Sequence, residues 1–338
     1  MNELKLHSWK VCVNCWTYNH APFIVDAMNG FCMQETSFPF VCTIVDDAST
    51  DGEPSVIKRY LEENFNLSDF SIFRNNETDD FLMTFAQHKT NLNCYFAVLL
   101  LKYNHYQLKR PKLPYLKEWR ENAEYIAICE GDDYWIDSHK LQKQVIFLDN
   151  NLEYSMCFHN SLEHWEDGRS PDKIFSSIEN RDYKKTDILE NWIIPTASTV
   201  IRSSVYNSDV YKKSFNDNRI LFGDLSLFLC CACVGKIWGM SDCMSVYRRL
   251  EQGAVIRSQK KYYDINRSKN HLLAIYENFG NELKSVTEDI FIRVWVQRAI
   301  IQLRKKDYKS FYIFMKESLK FNTWKSITSF FKIICKSL

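Results

Sequence analysis

Tyr125-Ile126-Ala127-Ile128-Cys129-Glu130-Gly131-Asp132-Asp133-Tyr134-Trp135 passes abruptly from a compact apolar run to a pair of carboxylates. A short apolar run bounded by polar residues reads as a buried strand. Two adjacent acids after such a strand repel each other unless a cation lies between them and a ligand. Mg²⁺ and Mn²⁺ suit that role, because they prefer oxygen ligands and bridge one or two carboxylates to substrate phosphates. An isolated Asp-Asp is more often a turn former or a helix cap. Here the aromatics Tyr134 and Trp135 follow, and then Ser138 to Asp149 with Leu141, Val145 and Leu148 at helical spacing and Asp137 or Ser138 as N-cap. A strand before the acids and a capped helix after them favour a ligand site.

The same pattern recurs towards the N-terminus. Val11 to Trp16 reads as a strand and His20 to Gln34 as a helix with Ile24, Ala27, Met28 and Phe31 on one face. Phe40 to Val45 is a strand ending in Asp46-Asp47, Glu53 to Asn64 a helix, and Phe70 to Phe73 a short strand. Repeated strand and helix segments predict an α/β fold with a mainly parallel sheet flanked by helices. Ligands of such sheets bind beyond the carboxyl ends of the strands. Three of these strands end in polar clusters: Thr17-Tyr18-Asn19, Asp46-Asp47 and Asp132-Asp133. One sheet edge would bring them together. Ser49, Thr50 and Asp51 read as a turn and cap for the helix that follows. The segment 84–122 reads as an insertion: a helix over the apolar run Tyr95 to Leu101, then a basic, aromatic excursion with Pro111 and Pro114.

Beyond Asp149 the pattern is less regular. Tyr154 to His159 and Ala197 to Arg202 read as strands, Leu225 to Val234 as a buried helix, Lys236 to Arg248 as a hairpin, and the chain from Ile265 onward as helical. The expected organisation is an α/β domain over 1–260 and a basic, amphipathic helical region over 261–338.

Composition bounds the function. Of 338 residues, 46% are hydrophobic and 25% charged, enough for a sizeable core. The net charge of +1 supplies no global basic footprint, so no nucleic-acid partner is expected. Met1 to Lys10 lacks the apolar stretch of a signal peptide, no apolar run is long enough to span a bilayer, and the 12 cysteines sit mainly in apolar surroundings, as reduced core thiols do. These features predict a cytoplasmic protein.

Thr17-Tyr18-Asn19-His20, Val45-Asp46-Asp47-Ala48-Ser49-Thr50-Asp51-Gly52 and Cys129-Glu130-Gly131-Asp132-Asp133-Tyr134-Trp135, in this order and each after a strand, resemble the motifs of family 2 glycosyltransferases with the GT-A fold. The resemblance covers about Val11 to Arg257. It implies a Rossmann-like mixed sheet, an inverting transfer of a hexosyl or N-acetylhexosaminyl group, and a nucleotide-sugar donor, UDP-linked. A hydroxyl of a glycan or lipid-linked acceptor in surface polysaccharide synthesis would receive the sugar. It implies that Thr17, Tyr18 and Asn19 meet the nucleoside, that Asp47 reads the uracil, that Asp132 faces the ribose and that Asp133 ligates Mn²⁺ or Mg²⁺. Asp224, ahead of a buried helix, matches the catalytic base. Arg248 has the charge and fork geometry for the diphosphate. Two positions depart from the pattern: Gly223 precedes Asp224 where relatives often carry a second acid, and Leu250 stands where close relatives carry a histidine. Trp135 and Trp192 could stack on sugar faces or pack internally.

Two other functions compete. A sugar nucleotidyltransferase shares a similar sheet and metal but usually has a Gly-rich loop near its first strand, and Val11 to Pro22 has no glycine. A non-catalytic nucleotide-sugar-binding protein is compatible with the single acid at Asp224. The tail 304–338 has nine basic residues against Asp307 and Glu317, with aromatics interleaved. It reads either as helices packed on the rest or as a peripheral contact with the inner face of a membrane.

Overall fold

The computed structural model describes residues 9–250 and 264–335. The expected boundary at 260/261 and the end of the resemblance at Arg257 lie outside them. By contact density the chain divides into two compact units, the first comprising 1–183, 193–208 and 234–250, the second 184–192, 209–233 and 251–338.

The first unit is built on a 12-stranded sheet. Its elements begin with β1 (Trp9–Thr17), α1 (Ile24–Cys32), β2 (Phe40–Asp46), α2 (Glu53–Asn64), β3 (Phe73–Glu77), β4 (Phe81–Gln87) and β5 (Cys94–Leu101). The short helices α3 (His105–Leu108) and α4 (Lys117–Arg120) lead to β6 (Ala123–Ile128), β7 (Tyr134–Trp135), α5 (Lys140–Asn150) and β8 (Tyr154–Trp165). Then come β9 (Lys173–Ile174), β10 (Arg181–Tyr183), β11 (Val200–Arg202) and β12 (Lys236–Arg249). The strand order is β10-β12-β8-β11-β6-β1-β2-β5-β4-β3, with β7 on β12 and β9 on β8. The central strands β6, β1, β2 and β5 run parallel. This is the α/β sheet flanked by helices that the strand-helix alternation predicts. One core joins Val11, Val13 and Cys15 of β1, Phe40, Cys42 and Ile44 of β2 and Tyr125 and Ala127 of β6 to Met28 and Phe31 of α1, Ile57 and Leu61 of α2, and Leu141, Val145 and Leu148 of α5. All 12 cysteines are unpaired thiols, and most are buried.

Four local expectations are corrected. Tyr95 to Leu101 is not a helix but most of β5, parallel to β2 and antiparallel to β4. A strand covered on both faces is continuously apolar, and periodicity cannot then separate it from a buried helix. The segment 84–122 therefore supplies an interior strand of the sheet. The short strand expected at Phe70 to Phe73 begins at Phe73 instead, and Asp69 makes the preceding turn by accepting hydrogen bonds from the Ser71 N–H and hydroxyl. Lys236 to Arg248 is no hairpin but one long strand, irregular around Met240 to Ser245. The polar pair Ser241-Asp242 looks like a turn, but it forms a bulge whose backbone is satisfied by Asn180 and Asn160. Helix α5 starts at Lys140 with His139 at its N-cap, so neither Asp137 nor Ser138 holds that position; the Asp137 carboxylate accepts from the His139 N–H.

The second unit is helical. It contains α6 (Lys185–Glu190), α7 (Asp209–Phe215), α8 (Gly223–Val234), α9 (Ile265–Phe279), α10 (Lys284–Arg304), α11 (Tyr308–Phe321) and α12 (Thr323–Cys335). Leu272 of α9 packs on Phe291 and Trp295 of α10, with Phe314 and Phe321 of α11 beside them. Among the described residues no helix is long and apolar enough to cross a membrane.

Candidate active site at the carboxyl ends of β1, β2 and β6

Strand register brings the polar clusters together. Thr17 pairs with Asp46 across β1 and β2, and Asn14 with Ile128 across β1 and β6. The chain leaving each strand stays tied to β1: the Asp47 N–H donates to Thr17 O (3.0 Å) and the Gly131 N–H to Trp16 O (3.0 Å). Gly131 is required by this approach, since a Cβ there would lie 2.2 Å from Thr17 Oγ1.

Glu53, the first residue of α2, stitches the β1 and β2 loops. Its fully buried carboxylate accepts from the Thr17 hydroxyl, from the His20 N–H (2.8 Å) and from Ser49 Oγ (2.9 Å). Asn19 adopts a left-handed backbone (φ 58°); its N–H donates to Ser49 Oγ (2.8 Å) and its Oδ1 accepts from the Thr50 N–H (2.8 Å). Asn tolerates that conformation better than most residues. Tyr18 beside it is half-buried. Asp46 is fully buried, with Oδ2 accepting from the Ser49 N–H (3.2 Å) and Oδ1 without a hydrogen-bond partner. Burial pushes its carboxyl up to about 6, against the Ser49 hydrogen bonds, which favour the charged form.

Asp47 is buried and engaged by its own chain. Oδ1 accepts from the His105 N–H (2.7 Å), and Oδ2 from the Tyr106 N–H (3.1 Å) and Lys112 Nζ (2.9 Å). Three of the roughly four lone-pair positions of a carboxylate are thereby filled. Lys112 Nζ also lies 5.3 Å from the centre of the Trp16 ring.

Asp133 is buried and Asp132 is a quarter exposed. The Arg248 N–H donates to Asp133 Oδ1 (2.8 Å), and Asp132 Oδ2 lies 3.7 Å from His20 Nε2. Burial, then repulsion from Asp132 and Glu130, drives the Asp133 carboxyl well above the usual carboxylate range. A divalent cation fits such a donor set: it would reverse the charge that opposes ionisation of Asp133. Among the described residues no three His, Cys, Asp or Glu side chains converge on one point as a ready-made metal cage. An acidic pair at a strand end instead suits a cation shared with substrate phosphates.

The Arg248 guanidinium is used inside the protein. Nη1 donates to Asp132 O (2.8 Å) and Nη2 to Asp26 Oδ2 (2.8 Å), while Nε lies 2.8 Å from Glu166 Oε2 as an ion pair off the hydrogen-bond axis. The guanidinium carbon lies 4.6 and 4.9 Å from the centres of the Phe23 and Tyr134 rings. Arg248 thus fixes the main chain of one acid and the side chain of the other. Trp135 belongs to the core: its indole N–H donates to Ala197 O (2.9 Å), its ring meets Phe31 edge-on at 4.9 Å, and Lys140 Nζ lies 4.1 Å from its centre. Trp192 is half exposed in the second unit, edge-on to Phe222.

Thr17, Tyr18, Asn19, Asp47, Asp132, Asp133 and Arg248 all belong to the first unit. Asp224 belongs to the second, in the first turn of α8, where its Oδ1 accepts from the Leu225 N–H (2.8 Å). Burial raises its carboxyl, against that hydrogen bond. Sequence reasoning missed Glu53, Asp26 and Glu166. For Glu53 a signal existed, because Thr50-Asp51-Gly52-Glu53 has the spacing of a capping box, although its carboxylate turns towards Thr17 instead. No local signal marks Asp26 or Glu166, which meet Arg248 from distant parts of the sequence.

No family model matches the chain. Uncharacterized proteins of Mycobacterium bovis and Mycobacterium tuberculosis are 30% identical to it over 237 residues, 70% of this chain and 58% of theirs. The chain therefore spans less than two thirds of the length of these curated relatives. Residues 1–349 of S. aureus TarS, solved in complex with UDP-GlcNAc, superpose with a TM-score of 0.55 at 14% identity over 95% of this chain and 89% of that one. A longer crystal structure of S. aureus TarS gives 0.50 at 16% identity, covering 83% of this chain and 42% of that one. At these identities the likeness is one of fold.

Proposed function

We propose that the chain is an inverting glycosyltransferase that moves a hexosyl or N-acetylhexosaminyl group from a UDP-linked donor to a hydroxyl of a glycan or lipid-linked acceptor. The observation that carries this reading is the gathering of Thr17, Asp46-Asp47 and Asp132-Asp133 at the carboxyl ends of three adjacent parallel strands, where open α/β sheets bind ligands. The fold shared with TarS, which was solved with UDP-GlcNAc, supports a nucleotide sugar as that ligand. The motif resemblance adds family 2, the use of a metal and a role in surface polysaccharide synthesis. We take 1–260 as the catalytic domain and 261–338 as a helical region.

In this reading Asp133 would hold Mn²⁺ or Mg²⁺ and Asp132 would face the ribose. When bound, the cation supplies Lewis-acid stabilisation of the charge developing on the diphosphate. The rest is done by the chain. Arg248 aligns the two acids and, with Asp26 and Glu166, keeps the loop from moving as charge builds. Thr17, Tyr18 and Asn19 form the wall for the nucleoside. Asp47 offers its one remaining lone-pair position to the base N–H. Asp224 takes the proton of the attacking hydroxyl.

Calorimetric titration with UDP, with and without Mn²⁺, tests the site. Mn²⁺ should strengthen UDP binding, and Asp133→Ala should remove that dependence and weaken binding at least about tenfold, the scale at which losing one metal-supporting group is felt. Asp133→Asn, nearly isosteric, controls for misfolding. UDP binding indifferent to both Mn²⁺ and Asp133 would overturn the assignment.

A further inference from the structure

The last two helices each leave aromatic and basic side chains uncovered. Helix α12 has two apolar stripes. Phe330, Ile333 and Ile334 pack with Ile292, Val296 and Ile300 of α10. Trp324, Ile327 and Phe331, spaced three and four apart, form a separate stripe that is 74%, 37% and 61% exposed. Helix α11 repeats the theme with polar-tipped rings. Tyr308 and Tyr312 are about two-thirds exposed and share the i, i+4 row with Lys316 and Lys320, with Lys309 and Ile313 alongside. A core-facing helix would not direct Trp and Phe outward, and a helix built only for solubility would not use them at all.

Charge narrows what this surface meets. The segment 304–338 carries nine basic and two acidic residues, whereas the whole chain is only +1. Lys325 is committed to Asp289 of α10 (2.7 Å). Lys309, Lys316 and Lys332 are exposed, and Lys320, also exposed, pairs with Glu317 of its own helix. A second copy docked through the same face would set these lysines against their own equivalents. An anionic lipid surface instead offers negative charge to the lysines and a headgroup layer into which Trp, Tyr and Phe partition.

We infer that α11 and α12 form a peripheral docking surface for an anionic lipid bilayer, with Trp324, Ile327 and Phe331 entering the headgroup layer and the lysines reading its charge. The helices lie on the surface and do not cross it. This inference stands on the exposed stripes and their charge, independently of the sugar-transfer reading.

The test is cosedimentation of the full chain with phosphatidylcholine vesicles, with or without about one third phosphatidylglycerol. Pelleting should require the anionic lipid and fall as salt rises. Trp324→Ser with Phe331→Ser, and separately Lys309→Gln with Lys316→Gln and Lys332→Gln, should each weaken it by about tenfold or more. These side chains are exposed, so thermal melting should be unchanged. Absent pelleting, equal pelleting with neutral vesicles, or pelleting indifferent to both variants would overturn the inference. A dimer in sedimentation velocity that the Trp324/Phe331 variant dissociates would assign the stripe to a second copy instead, and binding to duplex nucleic acid in place of vesicles would also overturn it.

Discussion

Asp224→Asn should lower kcat by about 100- to 10,000-fold while leaving donor KM nearly unchanged, the usual cost of losing a positioned general base. The amide is nearly isosteric and can still accept from the Leu225 N–H through its oxygen, so α8 should persist. The pH profile supplies an independent readout. A base works ionised, and burial raises this carboxyl above its ordinary 3.8. Activity should therefore be full above the raised pKa and fall as pH drops through it, with the acid limb of kcat/KM above the usual aspartate range. Stability runs the other way. A carboxyl raised on folding stabilises the fold below 3.8, and that contribution is lost as pH rises through the folded value. Asp224→Asn should therefore melt no lower than the parent near pH 7.5. A variant retaining more than about half of kcat would remove Asp224 from the chemistry, since a positioned general base typically contributes about 100-fold or more.

Glu53→Ala should destabilise the first unit by about 3–5 kcal/mol. The change removes the acceptor of the Thr17 hydroxyl, the His20 N–H and Ser49 Oγ, the first buried and the other two part-buried, and a buried polar group left without its partner costs about 1–3 kcal/mol, not fully additively. Ser49 Oγ retains the Asn19 N–H and Thr17 Oγ1 retains His20 Nδ1 at 3.2 Å, which keeps the sum below the maximum. Urea unfolding at constant pH measures the loss. Glu53→Gln, which keeps one acceptor oxygen, should recover a substantial part of it. UDP affinity should fall in step, because the loops that Glu53 ties carry Thr17, Tyr18 and Asn19. A loss below about 1 kcal/mol, the size of one ordinary hydrogen bond, would show that the three donors find other partners.

The parallel heart of the sheet was legible because β1, β2 and β6 are apolar runs that each stop at a polar cluster. The bounds of helix α2 were legible but its cap was not: Gly52, in a left-handed backbone, holds the N-cap position expected of Ser49, Thr50 or Asp51. Strand β5 was not legible, because burial on both faces erases the alternation that separates strand from helix. Strand β12 was not, because Ser241-Asp242 looks like a turn unless Asn160 and Asn180 are known to satisfy its backbone. In the site, the acids were visible as strand-end pairs. Their supports were not: Glu53 meets Thr17 across 36 residues and Arg248 meets Asp26 across 222, pairings that no local pattern encodes. Asp47 changed most in meaning. Its position was foreseen, but its engagement by His105, Tyr106 and Lys112 was not, because 104–112 shows no sign in sequence of folding back onto β2.

Nucleotide release tests the central claim most directly. Incubated with UDP-, GDP- and dTDP-linked hexoses or N-acetylhexosamines, Mn²⁺ and candidate hydroxyl acceptors, the chain should release UDP from a UDP-sugar. That release should stop when the metal is chelated and fall sharply in Asp224→Asn. Turnover yielding pyrophosphate or a sugar 1-phosphate would contradict the account, as would tight UDP binding with no turnover on any donor.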